Sequence, residues 1–161
     1  MTQAQPPRFE PQTPDFAERV KESFTRQRVM HLIGAELSEV QPGLVKIRLP
    51  FREDLTQQHG FLHAGVITTI VDSACGYAAF SLMPAGASVL TVEYKLNLLA
   101  PAKGEWFLAK GVVIKPGRTV TVCEGEVYAM NGSEEDNPPK LIATMSATMI
   151  TLLDRPGVTP G

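Results

Sequence analysis

Asp72 is the single Asp, Glu, Lys or Arg in the 21-residue run from His63 to Met83, which is otherwise built from apolar, small and hydroxyl side chains. A surface helix carries charge along its outer face, so this run reads as a buried helix with one ionisable group of interest. A carboxylate kept from water loses solvation of its charged form, which raises its pKa and makes it a better base or nucleophile once ionised. The competing use of such a residue is a hydrogen bond to a nearby hydroxyl that only fixes packing.

The helix opens with His63-Ala64-Gly65. The N–H groups of Ala64 and Gly65 have no intrahelical partners there, and they point out of the positive end of the helix dipole. They are candidates to hold a developing oxyanion, unless water or a loop caps them. His63, taken alone, reads as a capping or packing residue. Asp72 lies nine residues further on, about 13 Å along the axis. One chain's helix start and its own aspartate are therefore too far apart to share an acyl group. If both act on one carbonyl, they must come from two subunits whose helices lie side by side and antiparallel.

The elements around this helix follow from periodicity. Residues 1–14 contain four prolines and no period, and read as a flexible tail. From Asp15, an N-capping acid, Phe16, Val20, Phe24, Val29 or Met30, and Ile33 recur at roughly helical spacing up to Gly34, which predicts one amphipathic helix. Ala35–Val40 and Leu44–Pro50, joined by Gln41-Pro42-Gly43, predict a hairpin. Residues 51–62 have no clean period and lead into the central helix, which Pro84 and Gly86 close. Alternation over Ser88–Leu99 places Ser88, Leu90, Val92, Tyr94, Leu96 and Leu98 on the core face of a strand, and Val89, Thr91, Glu93, Lys95 and Asn97 on the wet face. Strands over Glu105–Lys115 and Arg118–Met130, a polar loop from Asn131 to Pro139, and a closing strand from Leu141 complete a meander.

On a helical wheel, Val66, Ile67, Ile70, Val71, Ala74, Tyr77 and Ala78 crowd one side, while Asp72 shares the other with Gly65, Thr68, Thr69, Gly76 and Ala79. Small residues around one carboxylate allow a backbone or ligand to come close. An apolar helix inside an antiparallel sheet requires the sheet to curl around it, since a flat sheet would leave the helix's far side wet. The expected class is α+β: about six curved antiparallel strands wrapped around one long helix, with an additional N-terminal helix. The domain spans 15–153, with tails at 1–14 and 154–161.

At 161 residues, 43% apolar and 20% charged, the chain suits one globular domain. Fifteen basic against 17 acidic residues leave a net charge of −2 and no basic patch for a phosphate backbone, which argues against nucleic acid. The polar start and two cysteines point to a reduced, cytoplasmic protein, and the aspartate within 62–83 argues against a membrane span. His31, His59 and His63 lack metal-ligand spacing, so no metal is expected. Cys75 reads as an inert core thiol.

These residues resemble the hotdog-fold thioesterases of the phenylacetate-degradation (PaaI-like) group, whose helix begins His-Gly-Gly and carries an aspartate further on. Here the motif reads His63-Ala64-Gly65 with Asp72, preceded by Gln57-Gln58-His59-Gly60 and followed by the 94–102 segment and the closing Ala143-Thr144 strand. The resemblance covers most of residues 18–152. It implies hydrolysis of an acyl-CoA thioester at a dimer interface, in a dimer of dimers, with CoA as part of the substrate and no separate cofactor. It also implies roles: Asp72 as general base or nucleophile, Ala64 as the oxyanion amide with Gly65 beside it, Gln57 as the amide side chain that orients thioester or water, and Ser88 as a hydroxyl that helps place the water. His63 and the turn Lys115-Pro116-Gly117-Arg118 are implied in binding the substrate, the turn at the CoA phosphates. Ala64 stands where the family has glycine; it keeps the N–H and is compatible with the role if helical. The rival expectations are an acyl-CoA binding or sensing module without turnover, and a hotdog dehydratase. The aspartate at 72 argues against the dehydratase, and the lack of a visible DNA-binding segment against a regulator.

Overall fold

A computed structural model of the protein describes residues 9–133 and 137–158. Helix α1 is Phe16–Arg26 and α2 is Arg28–Ile33, so the single helix expected from Asp15 to Gly34 is two. Gln27 between them is extended, with ψ 98°. The break has a packing reason: Phe24 and Met30 are six residues apart, roughly 240° around a continuous helix, yet both are buried. Gly34 ends α2 in the left-handed region, φ 76°, as a C-terminal glycine does. Asp15 precedes α1, but its side chain makes no capping hydrogen bond.

Strands β1 (Glu36–Gln41) and β2 (Leu44–Pro50) form the expected hairpin. A single 3₁₀ turn at Glu53–Leu55 leads toward the central helix α3, Ala64–Phe80. The remaining strands are β3 (Ala87–Leu98), β4 (Trp106–Lys115), β5 (Val120–Met130) and β6 (Lys140–Leu153). They form one antiparallel sheet in the order β1-β2-β4-β5-β6-β3, curved around α3. This is the hotdog architecture expected from the sequence.

Two glycines on the concave face explain how closely α3 sits. A Cβ on Gly111 would overlap the Ala74 backbone, and one on Gly125 would overlap the Val71 and Cys75 side chains. The helix side of this contact is buried: Ile67, Ile70, Val71, Ala74 and Ala78 meet Ile47, Leu49, Phe107 and Val127 from the sheet within one hydrophobic core. The opposite side, at Gly65, Thr68, Thr69, Asp72 and Gly76, is partly open, as the wheel predicts. Ala79 is the exception, being buried.

The described parts of the two tails lie against the domain. Gln12 Nε2 donates to Leu82 O at 3.0 Å, and Phe9 packs on the core, so the flexible segment expected over 1–14 is anchored from Phe9 onward. After β6, Asp154 takes a positive φ of 49°, and Val158 lines the cavity beside α3. The acidic loop residues 134–136 fall outside the described residues.

Candidate active site

The site is built from the open face of α3. Asp72 is half-buried, and burial raises its carboxyl pKa above the ordinary value, partly offset by a hydrogen bond from Thr91. Thr91 Oγ1 donates to Asp72 Oδ1 at 2.8 Å. The carboxylate is thus partly desolvated and held in one direction by a neutral donor.

Thr91 is expected on the wet face of its strand and Ser88 on the core face; in the structure Ser88 is buried as expected and Thr91 exposed, but it is Thr91 that lies on the face toward the helix, and Ser88 on the other. Thr91 pairs with Met149 and Glu93 with Thr148, which leaves Val92 as an extra residue, a β-bulge. A bulge shifts the two-residue phase by one. Upstream of it Ala87, Val89 and Thr91 face the helix; downstream of it Tyr94, Leu96 and Leu98 do, opposite buried Ala147, Met145 and Ala143. Ser88 pairs with Leu152 on the other face and borders both the Asp72 cavity and a hollow under residues 154–158. The hydroxyl that meets Asp72 belongs to Thr91.

Two cavities meet at the carboxylate. A chamber of about 550 Å³ runs along α3 from Asp72 past Gly76 and Tyr77 to Phe80, roofed by Ser23, Arg26 and Gln27 of the α1–α2 segment and walled by 88–91 of β3. A groove of about 430 Å³ runs the other way, past Thr69, Thr68 and Gly65, with Val29 and Tyr94 at its sides. Among the roof residues, Ser23 and Tyr77 hydroxyls lie 3.3 Å apart, and Ser73 Oγ donates to Gln27 Oε1 at 3.3 Å. Sequence reasoning missed Thr91, Gln27, Ser73 and Tyr77. The gap between Phe24 and Met30 was the available signal for the break that presents Gln27.

The remaining predicted residues gather elsewhere. His63 caps α3: its Nδ1 accepts from Gly65 N–H at 2.8 Å. The Gly65 amide expected to be open is therefore engaged by its own chain. Ala64 N–H makes no hydrogen bond among the described residues and remains the open donor at the helix start. Ala64 has a helical backbone, so the alanine introduces no positive-φ strain. Gln57 stands in the loop before the same helix start, its Oε1 accepting from His59 N–H. Lys115, Gly117 and Arg118 lie at the other end of α3. There Gly117 and Arg118 border a depression with Leu82, Met83 and Pro84, about 15 Å along the axis from Asp72 within one chain. The structure therefore gathers Gln57, His63, Ala64 and Gly65 at the helix start, Asp72 with Thr91 in the middle, and the cationic turn beyond its end.

Cys75 and Cys123 are buried, and burial pushes their thiols up, Cys123 to about 12, which keeps both protonated and unreactive. Among the described residues no three His, Cys, Asp or Glu side chains converge to hold a metal, and no helix is long and apolar enough to cross a membrane.

Comparison with known proteins places this arrangement. A thioesterase family protein of known structure from Silicibacter pomeroyi is 51% identical, covering 86% of this chain and 98% of that one, with a TM-score of 0.81. A provisionally named esterase of Saccharolobus solfataricus is 32% identical over 114 residues, 71% of this chain and 75% of its own. The PaaI protein from the phenylacetic acid degradation operon of E. coli shares the fold at 14% identity and a TM-score of 0.76, with 88% of this chain and 96% of that one covered. The model of the thioesterase superfamily matches residues 59–135, from the helix-start loop through α3 and all of β5. With its hotdog sheet, its central helix and these relatives, the chain belongs to the thioesterase superfamily.

Proposed function

We propose that the protein hydrolyses acyl-CoA thioesters to a free acid and CoA, in a homodimer that pairs further into a tetramer. The observation that carries this reading is a partly desolvated Asp72 at the junction of two cavities, one sized for an acyl group and one leading away from it. In the base route, the Asp72 carboxylate takes a proton from water, whose oxygen attacks the thioester carbonyl carbon. The tetrahedral intermediate then collapses, the C–S bond breaks, and the carboxyl returns the proton to the departing thiolate. In the nucleophile route, Asp72 attacks the carbonyl carbon directly, the C–S bond breaks and CoA leaves as the thiolate, and water then hydrolyses the resulting anhydride, releasing the acid and restoring the Asp72 carboxylate.

The helix-start amide that serves this site has to come from a second copy, since Ala64 is eight residues from Asp72 on the same helix, about 12 Å. The free edge of β3 supports a second copy as its source. This 12-residue strand ends the sheet, and Leu90, Val92, Tyr94 and Leu98 on it are large, apolar and exposed. A solitary protein with such an edge would invite uncontrolled pairing. Antiparallel pairing of two β3 strands sets the two α3 helices side by side, so that Ala64 N–H of one subunit serves Asp72 of the other, with Gln57 and His63 arriving alongside. The same antiparallel arrangement brings one subunit's Lys115–Arg118 turn toward the outer end of the other's groove, where CoA phosphates would lie. No separate cofactor enters the reaction, and the reduced cysteines fit a cytoplasmic setting.

Thiol release from a panel of acyl-CoAs by wild type and Asp72→Asn tests the reading. Loss of release in the variant is expected. Equal rates would remove Asp72 from the chemistry, and tight acyl-CoA binding without release would favour a sensing module.

A further inference from the structure

Three residues border both the chamber and the groove: Asp72, Ser73 and Gln27. If the proposed hydrolysis is right, an acyl group in one space and a thiol-bearing arm in the other must thread the thioester carbonyl through this neck. The carbonyl then passes one carboxylate, one hydroxyl and one carboxamide, all from a single chain.

Gln27 is held there from both sides. Its N–H donates to Phe24 O at 3.0 Å, and its carbonyl accepts from Met30 N–H at 3.1 Å. Phe24 and Met30 are both buried, so the extended residue between them is fixed by core packing on each flank. Its side chain is tied as well: Oε1 accepts from Ser73 Oγ, and the carboxamide N–H end also hydrogen-bonds the Tyr77 hydroxyl, which leaves one of its two N–H donors for a ligand at the neck. A carboxamide offers two N–H donors and no charge, so it can bind a carbonyl oxygen without pairing with Asp72 and weakening it as a base.

We propose that Gln27 is a catalytic residue of thioester hydrolysis, its carboxamide N–H donating to the thioester carbonyl oxygen at the neck between the two cavities. The bond strengthens as that oxygen gains charge, which lowers the barrier more than it tightens binding. Ser73 acts through Gln27, orienting the amide.

The test is steady-state hydrolysis of a short acyl-CoA by wild type, Gln27→Ala, Gln27→Glu, Ser73→Ala, the Gln27→Ala/Ser73→Ala double variant and Asp72→Asn, with thermal melts for each. Gln27→Glu is nearly isosteric and keeps the acceptor for Ser73 while removing the donor. The expected result is a loss in kcat on the order of 10²-fold for both Gln27 variants, with KM changed far less and melting near that of wild type. Ser73→Ala should lose less than tenfold, and nothing further once Gln27 is alanine. Near-wild-type kcat in Gln27→Glu overturns the donor role, and equal losses in Ser73→Ala and Gln27→Ala reduce Gln27 to a brace for α3. An inactive Asp72→Asn beside a fully active Gln27→Ala sinks this inference alone. An Asp72→Asn as fast as wild type sinks only the assignment of the base, and absence of hydrolysis by wild type sinks both.

Discussion

The Thr91 hydroxyl donates a 2.8 Å hydrogen bond to Asp72 Oδ1 across the gap between the sheet's edge strand and the central helix. It opposes the larger effect of burial, which raises the carboxyl's pKa. Thr91→Val should remove the opposing interaction and leave burial alone. The acid limb of kcat/KM, where Asp72 protonates and activity falls, should then move upward, because the hydrogen bond that favours the charged carboxylate is gone. A pH profile unchanged by the substitution would contradict this.

Asp72 should cost stability where it serves chemistry. Because its folded pKa is raised, the ionised form is penalised in the folded state. The associated stability is fully present below the unfolded carboxyl pKa and is lost as pH rises through the folded one. Asp72→Asn should accordingly melt at or above the wild-type temperature at pH 7 and match it near pH 3, while losing roughly 10²- to 10⁴-fold in kcat. Calorimetry at the two pH values and thiol release check the two halves separately.

Subunit complementation tests the shared site. Ala64 is the first residue of α3, and His63 before it is extended, with ψ 138°. Both conditions admit proline, so Ala64→Pro should fold while deleting the proposed oxyanion N–H. Alone, it should be nearly inactive. Mixed in equal amounts with Asp72→Asn after subunit exchange, it should regain about a quarter of wild-type activity, because half the symmetric dimers are hybrids and each hybrid holds one intact site. No recovery after verified exchange would place both groups in one chain and break the two-subunit mechanism.

Gly111→Ala tests how the helix is seated. Its new methyl would overlap the Ala74 backbone, which cannot swing aside as a side chain can. Overpacking of this kind costs about 1–3 kcal/mol, and urea unfolding should show a lower midpoint. A wild-type midpoint would mean that α3 sits further from the sheet.

Local chemistry fixed much of this protein. The lack of charge along α3, its motif at His63-Ala64-Gly65 and the lone Asp72 are properties of the chain itself, and they sufficed for the curved sheet around a buried helix. The wheel that sets Asp72 among small residues needs only the helical period. Two decisions lay beyond local patterning. The bulge at Val92 turns Thr91, rather than Ser88, toward Asp72, and it arises from register against β6, a strand about 50 residues away in the chain. The break at Gln27 exists because both Phe24 and Met30 reach one core, which brings a carboxamide from the first helices over the neck of the site. Alternation and helical spacing describe a segment against itself. Which face a strand presents after a bulge, and which side chain closes a cavity, depend on contacts between distant segments, and only the tertiary structure supplies them.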